Sequence, residues 1–510
     1  MNIQYLFFFF FFLYIVYAEI PIKQVIFQEK RTPKKIAIIG GGAAGSSTAF
    51  WLSNTVGQSI PIDMTIYEKE GRIGGRSTVV PIKDTPSLGH IELGASIFVP
   101  VNYNMMNASE KFGFPLKRLT MATKLGIWDG QSFLFEETGN QYWDAMKMIW
   151  RYGLAPLKFP SYLQPIIDRF LTIYHQDKPP FSTLSQIVDQ LNLTDLVNKT
   201  ASDHLTSLFG SAFVNEMIQS ASRGNYGQDA NILHAFAALV SMSAGSGAWS
   251  LEDGNYRIFE EFIHRSHNTQ LLLNTKVISI DSVYEIDDHN NKIQQYKIHT
   301  SLSEVDDELY DIVILASPLH LADIDISCIQ SPKEYEREYH TVHVTLIAGY
   351  PDPTYFGRTE NDVPTSIITT GFPLVDHFEN QTSPFTTFTR HMILDNGESV
   401  VKMFSSKSIS DQDLTSLFVN TSWVYRHAWQ AFPKLFPVDQ EEWPSIILHG
   451  FDQSNTNGGI FYANAFESVI STMETQTLMG QNIAKLIYDH WCTDSLRETC
   501  VPFGDGWGTH

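Results

Sequence analysis

The chain has 510 residues, 43% of them hydrophobic and 13% aromatic, which is enough to bury large cores in two closely packed domains and does not suit a disordered or fibrous protein. Against 56 Asp and Glu there are 35 Lys and Arg, and a net charge of -21 with no basic stripe to offset it argues against a nucleic-acid partner. Three cysteines, Cys328, Cys492 and Cys500, are too few for a disulfide scaffold, although the last two could clip the C-terminal tail.

Tyr5 to Ala18 (YLFFFFFFLYIVYA) is an uncharged apolar run of signal-peptide length with a small residue at its end, so residues 1–18 read as a leader. It falls short of the ~20 apolar residues that span a bilayer. No basic residue precedes it, which leaves an uncleaved interfacial anchor as the alternative. Entry into the secretory pathway is expected, and Asn107, Asn192, Asn198, Asn380 and Asn420 stand in glycosylation triplets.

Lys35 to Ile39 reads as a short buried strand, and Ser46 to Asn54 as a helix. Between them Gly40, Gly42 and Gly45 form GxGxxG, and Ala43 and Ala44 within it count among the expected cofactor contacts. In that setting the first glycine permits the turn, the second admits a pyrophosphate to the backbone, and the third lets strand and helix pack closely. A second strand, IDMTIYE, ends in Glu68 followed by Lys69, where a carboxylate can accept hydrogen bonds from a ribose. Gly74, Gly75 and Arg76 then place a second backbone-exposing turn and a guanidinium against the same pyrophosphate. This resembles the FAD-binding pattern of amine oxidases, protoporphyrinogen oxidase and their relatives, so FAD is the expected cofactor.

Met146 to Tyr174 is rich in large apolar groups, and Pro156, Pro160 and Pro165 are expected to break it into short helices. Substrate-domain core is the preferred reading, with a lipid tunnel or a peripheral membrane contact as alternatives. Asn274 to Glu285 reads as a strand, Tyr310 to Leu321 as a buried strand ending in a Ser-Pro turn, Glu285 to Asn291 as a hairpin turn, and Ser468 to Trp491 as a helix preceded by Glu467. The tail GDGWGTH reads as disordered. No second GxGxxG stands between a strand and a helix, so the electrons are expected to pass to molecular oxygen rather than to a second nucleotide.

Taken in order, HIELGASIF (His90 to Phe98), SRGNYGQDA (Ser222 to Ala230), GAWSLEDGN (Gly247 to Asn255), ILASPLHL (Ile314 to Leu321) and FYANAFES (Phe461 to Ser468) resemble the prenylcysteine oxidases, also called prenylcysteine or farnesylcysteine lyases. Asp253, Gly224 and Asn225 depart from the pattern of that family. The resemblance implies an α/β fold in which a Rossmann-like FAD-binding domain of the glutathione reductase/amine oxidase type (34–100, 225–341 and 444–492) is interleaved with an α+β substrate-binding cap (101–224 and 342–443), followed by a flexible tail (493–510).

It further implies oxidation of S-farnesyl- or S-geranylgeranyl-cysteine to a prenyl aldehyde, free cysteine and hydrogen peroxide, in a lysosome or vacuole, with no obligate protein partner. Hydride would leave the carbon next to sulfur for flavin N5, and such chemistry asks the side chains mainly for positioning. Gly94, Ala95 and Ser96, after Glu92, would lie near the flavin ring, and Val277 near the adenine. Arg223, Tyr226 and Gln228 are candidates to bind the cysteine carboxylate, order water or contact the flavin. His320 reads as a core histidine. Glu467 is placed at the flavin end of the last helix, whose partial positive charge favours a reduced, anionic flavin. The absence of metal-ligand spacing fits a reaction without a metal. An amine oxidase and a non-catalytic prenyl-protein escort are the competing readings.

Overall fold

The computed structural model describes residues 32–119, 124–243, 247–286, 292–302, 308–329, 337–359, 362–371, 383–438, 443–451, 458–492 and 500–507. The leader and Asn380 therefore lie outside the described residues. The first strand, Lys34–Ile39, has its last four residues buried, as a strand covered on both faces requires. It lies at the centre of a six-stranded sheet in the order Ile447–Gly450, Gly459–Tyr462, Ile312–Leu315, Lys34–Ile39, Ile62–Tyr67, Thr269–Leu272. All neighbours run parallel except the edge strand Ile447–Gly450. Three separate stretches of chain thus build one doubly wound sheet, the Rossmann-like arrangement that the glycine motif predicts.

The helices that bear on the site are α1 (Ala43–Asn54), α2 (Gln141–Tyr152), α3 (Ala155–Leu171), α4 (Ala235–Ser243) and α5 (Met473–Trp491). Small residues let α1 and α5 approach closely: a Cβ on Gly480 would fall 2.8 Å from both Ser47 Oγ and the Thr48 amide nitrogen. Trp51 Nε1 donates to the Thr477 carbonyl at 3.1 Å across this contact. A seven-stranded sheet forms the second layer system, in the order Phe418–Pro433, Tyr339–Pro351, Ser399–Ser405, Thr387–Ile393, Ser366–Thr369, Leu125–Trp128, Phe133–Glu136. The strands Val277–Ile286 and Lys292–Thr300 pair antiparallel, while residues 287–291 of the expected turn between them lie outside the described residues.

Three expectations need correction. Pro160 and Pro165 do not break the apolar stretch; α3 runs through both. Each proline is exposed, so the carbonyl it leaves without a partner one turn back lies on the solvent side, while Pro156 sits in the first turn, where its missing N–H costs nothing. The last helix begins at Met473 rather than Ser468, because Thr472 and Thr475 cap each other there and Ala463–Ser468 form a buried 3-10 turn.

The tail is also ordered over Gly504 to Trp507. Trp507 is only 7% exposed and packs on Phe50, Trp51, Phe112 and Phe262. Cys492 and Cys500 form the expected disulfide, and the Val501 amide donates to Ser59 Oγ at 2.9 Å. Trp507→Ala should therefore lower the stability of the whole domain by about 3–5 kcal/mol. Urea unfolding followed by circular dichroism measures it; a disordered tail would give no change.

Candidate active site

A cavity of about 820 Å³ opens at the C-terminal ends of the parallel strands. Its first end is built by the strand-to-helix turn. Gly40 has φ +110°, and a Cβ there would lie 2.7 Å from the Ala316 carbonyl oxygen; a Cβ on Gly45 would lie 1.9 Å from the Gly40 oxygen. Both positions therefore demand glycine, one for its backbone and the other for close packing of strand and helix. Gly42, Ala43 and Ala44 face the cavity, and no side chain caps α1 at Gly42. Its first-turn N–H groups are thus presented to an anion.

Glu68 and Lys69 line the same end. The Glu68 carboxylate is buried and already holds the turn, accepting from the Gly41 amide at 2.7 Å and the Glu70 amide at 2.8 Å. Gly74, Gly75, Gly94, Ala95, Ser96 and Val277 also face the cavity. Gly94 is required by contact, since a Cβ would meet the Arg76 oxygen at 2.0 Å.

Arg76 lines the cavity as well, with its guanidinium held in place by partners. It pairs with the buried Glu467 through both terminal nitrogens and donates to the Ala431 carbonyl at 2.6 Å. Burial works against the guanidinium charge, but Glu467 more than offsets it, and the pKa stands above the ordinary value. Tyr339 and Asn464 also donate to Glu467. Glu467 thereby accepts from three side chains at the cavity wall.

Among the remaining candidates the structure separates two that reach the cavity from one that does not. Arg223 lines it, donating to Asp229 Oδ1 at 2.8 Å and Thr369 Oγ1 at 3.3 Å, with a buried Nε that lacks a partner among the described residues. Tyr226 lines it too, with its ring edge-on to Phe432. Gln228 is the correction: it lies outside the lining, and its amide clamps the chain by donating to the Pro433 carbonyl at 3.1 Å and accepting from the Leu435 amide at 2.8 Å. His320 is half-buried and packs beside Tyr339, off the lining. Asn192, Asn198 and Asn420 are exposed, whereas Asn107 is half-buried within a helix.

Sequence reasoning missed Lys402, whose buried ammonium donates to the Glu92 carbonyl at 2.6 Å and to Ser96 Oγ at 2.7 Å. Burial pushes Lys402 down to about 8 and Glu92 up to about 7. It also missed Glu474, fully enclosed at the start of α5 and pushed up to about 7 by burial, where it accepts from the Asn104 and Met105 amides at 2.8 and 2.9 Å. No local motif marks either residue; each is defined by what folds over it.

The cavity fits FAD by its polar chemistry as well as its glycines. Buried polar atoms without partners among the described residues gather on its wall: Ser77 Oγ, Trp429 Nε1, Asn464 Oδ1 and both amide atoms of Gln476. A ligand rich in hydroxyl, phosphate and ring donors and acceptors satisfies such groups. Cys328 does not line the cavity, which agrees with a noncovalent cofactor. The opposite end is apolar, walled by Leu163, Ile166, Ile167, Phe170 and Leu171 of α3 and by Phe236, Leu239 and Val240 of α4.

Two outcomes follow from this geometry. Glu68→Ala leaves the Gly41 and Glu70 amides unpaired, so FAD affinity and apoprotein stability should each fall by about 1–3 kcal/mol, read by equilibrium dialysis and urea unfolding. Glu92 and Glu474 hold their protons more tightly folded than at the ordinary value of 4.5. The folded state therefore binds the extra protons, and their contribution to stability is full below about 4.5 and is lost as the pH rises through about 7. Denaturant midpoints across that range should fall, and less steeply in Glu474→Gln.

Comparison with known proteins agrees with this geometry. The family model described as prenylcysteine lyase matches residues 135–498, and that of an NAD(P)-binding Rossmann-like domain matches 38–110. The chain is 28% identical to prenylcysteine oxidase 1 of Bos taurus and 29% identical to farnesylcysteine lyase of Arabidopsis thaliana, over 91% of this chain and 90% of each relative. Cyclohexylamine oxidase from Brevibacterium oxydans IH-35A, 14% identical, shares the fold with a TM-score of 0.56 over 90% of this chain and all of that one. Putrescine oxidase bound to putrescine, 12% identical, does so with a TM-score of 0.53 over 89% of this chain and 98% of that one. The family match spans well over half of the chain and takes in the cavity's apolar end and the last helix: the chain belongs to the prenylcysteine lyase family.

Proposed function

We propose that this protein is an FAD-dependent thioether oxidase that converts S-prenyl-L-cysteine, oxygen and water into a prenyl aldehyde, free cysteine and hydrogen peroxide. The observation that carries the reading is the two-ended cavity, a glycine-rich nucleotide cradle continuous with an apolar wall, in a chain of this family. The six-stranded sheet with α1 and α5 holds the cofactor, and the seven-stranded sheet with α3 forms the cap over the substrate, with α4 of the FAD-binding segment completing the wall. When bound, FAD supplies the hydride acceptor and passes the electrons on to oxygen.

The chain's own residues position and exclude. The cavity-facing side chains in the second half of α3, from Leu163 to Leu171, and those of α4 receive the prenyl group and keep bulk water from the carbon attached to sulfur, where the allylic system and the sulfur lone pair stabilise positive charge. Arg223, held at the wall by Asp229 and Thr369, orients the cysteine carboxylate. Arg76 and Glu467 fix the backbone of Gly94 and Ala95 through the Arg76 carbonyl, which accepts from the Ala95 amide at 3.1 Å. The Lys402 ammonium holds Ser96 at the same wall. Water adds to the oxidised carbon, and the hemithioacetal collapses to aldehyde and thiol.

A lysosomal or vacuolar lumen suits the reading. Its supports are the apolar leader sequence, the Cys492–Cys500 disulfide, exposed glycosylation triplets at Asn192, Asn198 and Asn420, and the buried carboxylates that favour acid. Anaerobic stopped flow tests the reaction. S-farnesylcysteine should bleach the bound FAD, benzylamine and spermine should not, and deuterium at the carbon next to sulfur should slow the bleaching. Bleaching by the amines alone would replace the thioether with an amine as substrate.

A further inference from the structure

The α2 helix turns its apolar face outward. Tyr142, Trp143, Met146, Ile149 and Trp150 share one face at helical spacing, and all are exposed: Tyr142 by 76%, Trp143 by 61% and Trp150 by 88%. Leu154 and Leu157, at the turn into α3, extend the same exposed surface. The sequence reading assigns this stretch to the substrate-domain core, and for α2 the structure overturns that: the buried members are few, and the largest aromatic groups meet solvent. An apolar patch of this kind on a soluble surface marks an interaction site.

We infer that α2 and the first turn of α3 dock on an anionic lipid bilayer, from which the prenyl group enters the cavity along α3. The docking stands on the surface itself; the delivery of substrate rests on the thioether-oxidase reading. Charge selects the occupant. Within residues 141–160 the basic residues are Lys147, Arg151 and Lys158 and the acidic one is Asp144, a local excess of positive charge in a chain of net charge -21. Glu216 takes Arg151, at 2.5 and 2.9 Å, whereas Lys147 and Lys158 stay exposed beside the aromatic face. Among the described residues the Lys147 ammonium donates only to the Glu136 carbonyl, at 3.0 Å, and its charge is unpaired by a carboxylate. Anionic headgroups attract these lysines and repel the acidic remainder of the molecule, so electrostatics orients this face to the membrane. In a two-fold pairing with a second copy the same lysines would be brought towards each other.

The residue types agree with that assignment. Tyr and Trp rings with lysines at their flanks are the composition of a helix lying in a membrane interface. Continuity supplies the reason for docking there. Leu154 and Leu157 belong to the exposed patch, while Leu163, Ile166 and Phe170, further along α3, line the cavity. One helix therefore leads from the lipid-facing patch to the apolar end of the site.

The test compares the full-length protein with Trp143→Ser/Trp150→Ser and Lys147→Glu/Lys158→Glu, using phosphatidylcholine vesicles with and without phosphatidylserine. The parent should co-sediment with the phosphatidylserine vesicles, and brominated lipid should quench its tryptophan fluorescence. The serine variant should lose partitioning by at least about tenfold together with that quenching, and the glutamate variant should lose the preference for phosphatidylserine. Both should turn over dissolved S-farnesylcysteine like the parent and vesicle-borne S-geranylgeranylcysteine more slowly. Equal partitioning and quenching in the parent and the serine variant, or a parent that ignores both kinds of vesicle, would overturn the inference. So would a parent dimer that ignores vesicles and becomes monomeric in the serine variant, since the patch would then be a self-association face. Vesicle docking by the parent with turnover of neither thioether supports the docking and removes the substrate reading instead.

Discussion

The arrangement depends on the pair of half-buried Arg76 and buried Glu467, which joins parts of the chain 391 residues apart. Arg76 belongs to the turn after the second strand, Glu467 to the 3-10 turn before α5, and the Ala431 carbonyl and Tyr339 hydroxyl that complete the cluster come from the seven-stranded sheet. Glu467 is 1% exposed, so removal of its partner would strand a charge inside the protein at a cost of roughly 3–5 kcal/mol. The pair is therefore strongly directional: it is satisfied only when nucleotide sheet, last helix and cap are all in place.

That requirement gives the cavity its form. One wall is backbone and glycine, where the chain approaches a ligand closely and offers N–H groups; the other is aliphatic and aromatic. A cofactor that brings its own reactivity needs the first, and a prenyl chain needs the second. Titratable groups are few at the junction and are held by partners, as with Arg223 by Asp229 and Glu467 by Arg76. The proposed reaction accordingly draws on orientation and the exclusion of water.

The glycine motif, the strand after it and the carboxylate at Glu68 were legible in the sequence because each rests on local steric demands. Gly40 and Gly45 have no room for a side chain, and Glu68 serves amides within its own neighbourhood. The positions of Arg76 and Gln228 were not legible in the same way. The partners that hold Arg76 come from distant segments, and a glutamine after a Tyr-Gly turn looks like a ligand contact until the distant Pro433 carbonyl claims it. Lys402 and Glu474 carried no signal at all, since burial of a charge is a property of what packs over it.

The sequence by itself determined the nucleotide-binding fold, the cofactor type and the family, because strand periodicity, glycine sterics and ordered motifs are written within short windows. Only the tertiary structure decided which apolar residues face inward. α2 and α3 are alike in composition, yet α3 lines the cavity and α2 presents its rings to solvent; Trp507, in a tail of turn-forming residues, closes onto Phe50 and Trp51. The physical reason is that hydrophobic burial has no direction of its own. A side chain's destination is set by the surface opposite it, and that surface comes from elsewhere in the chain.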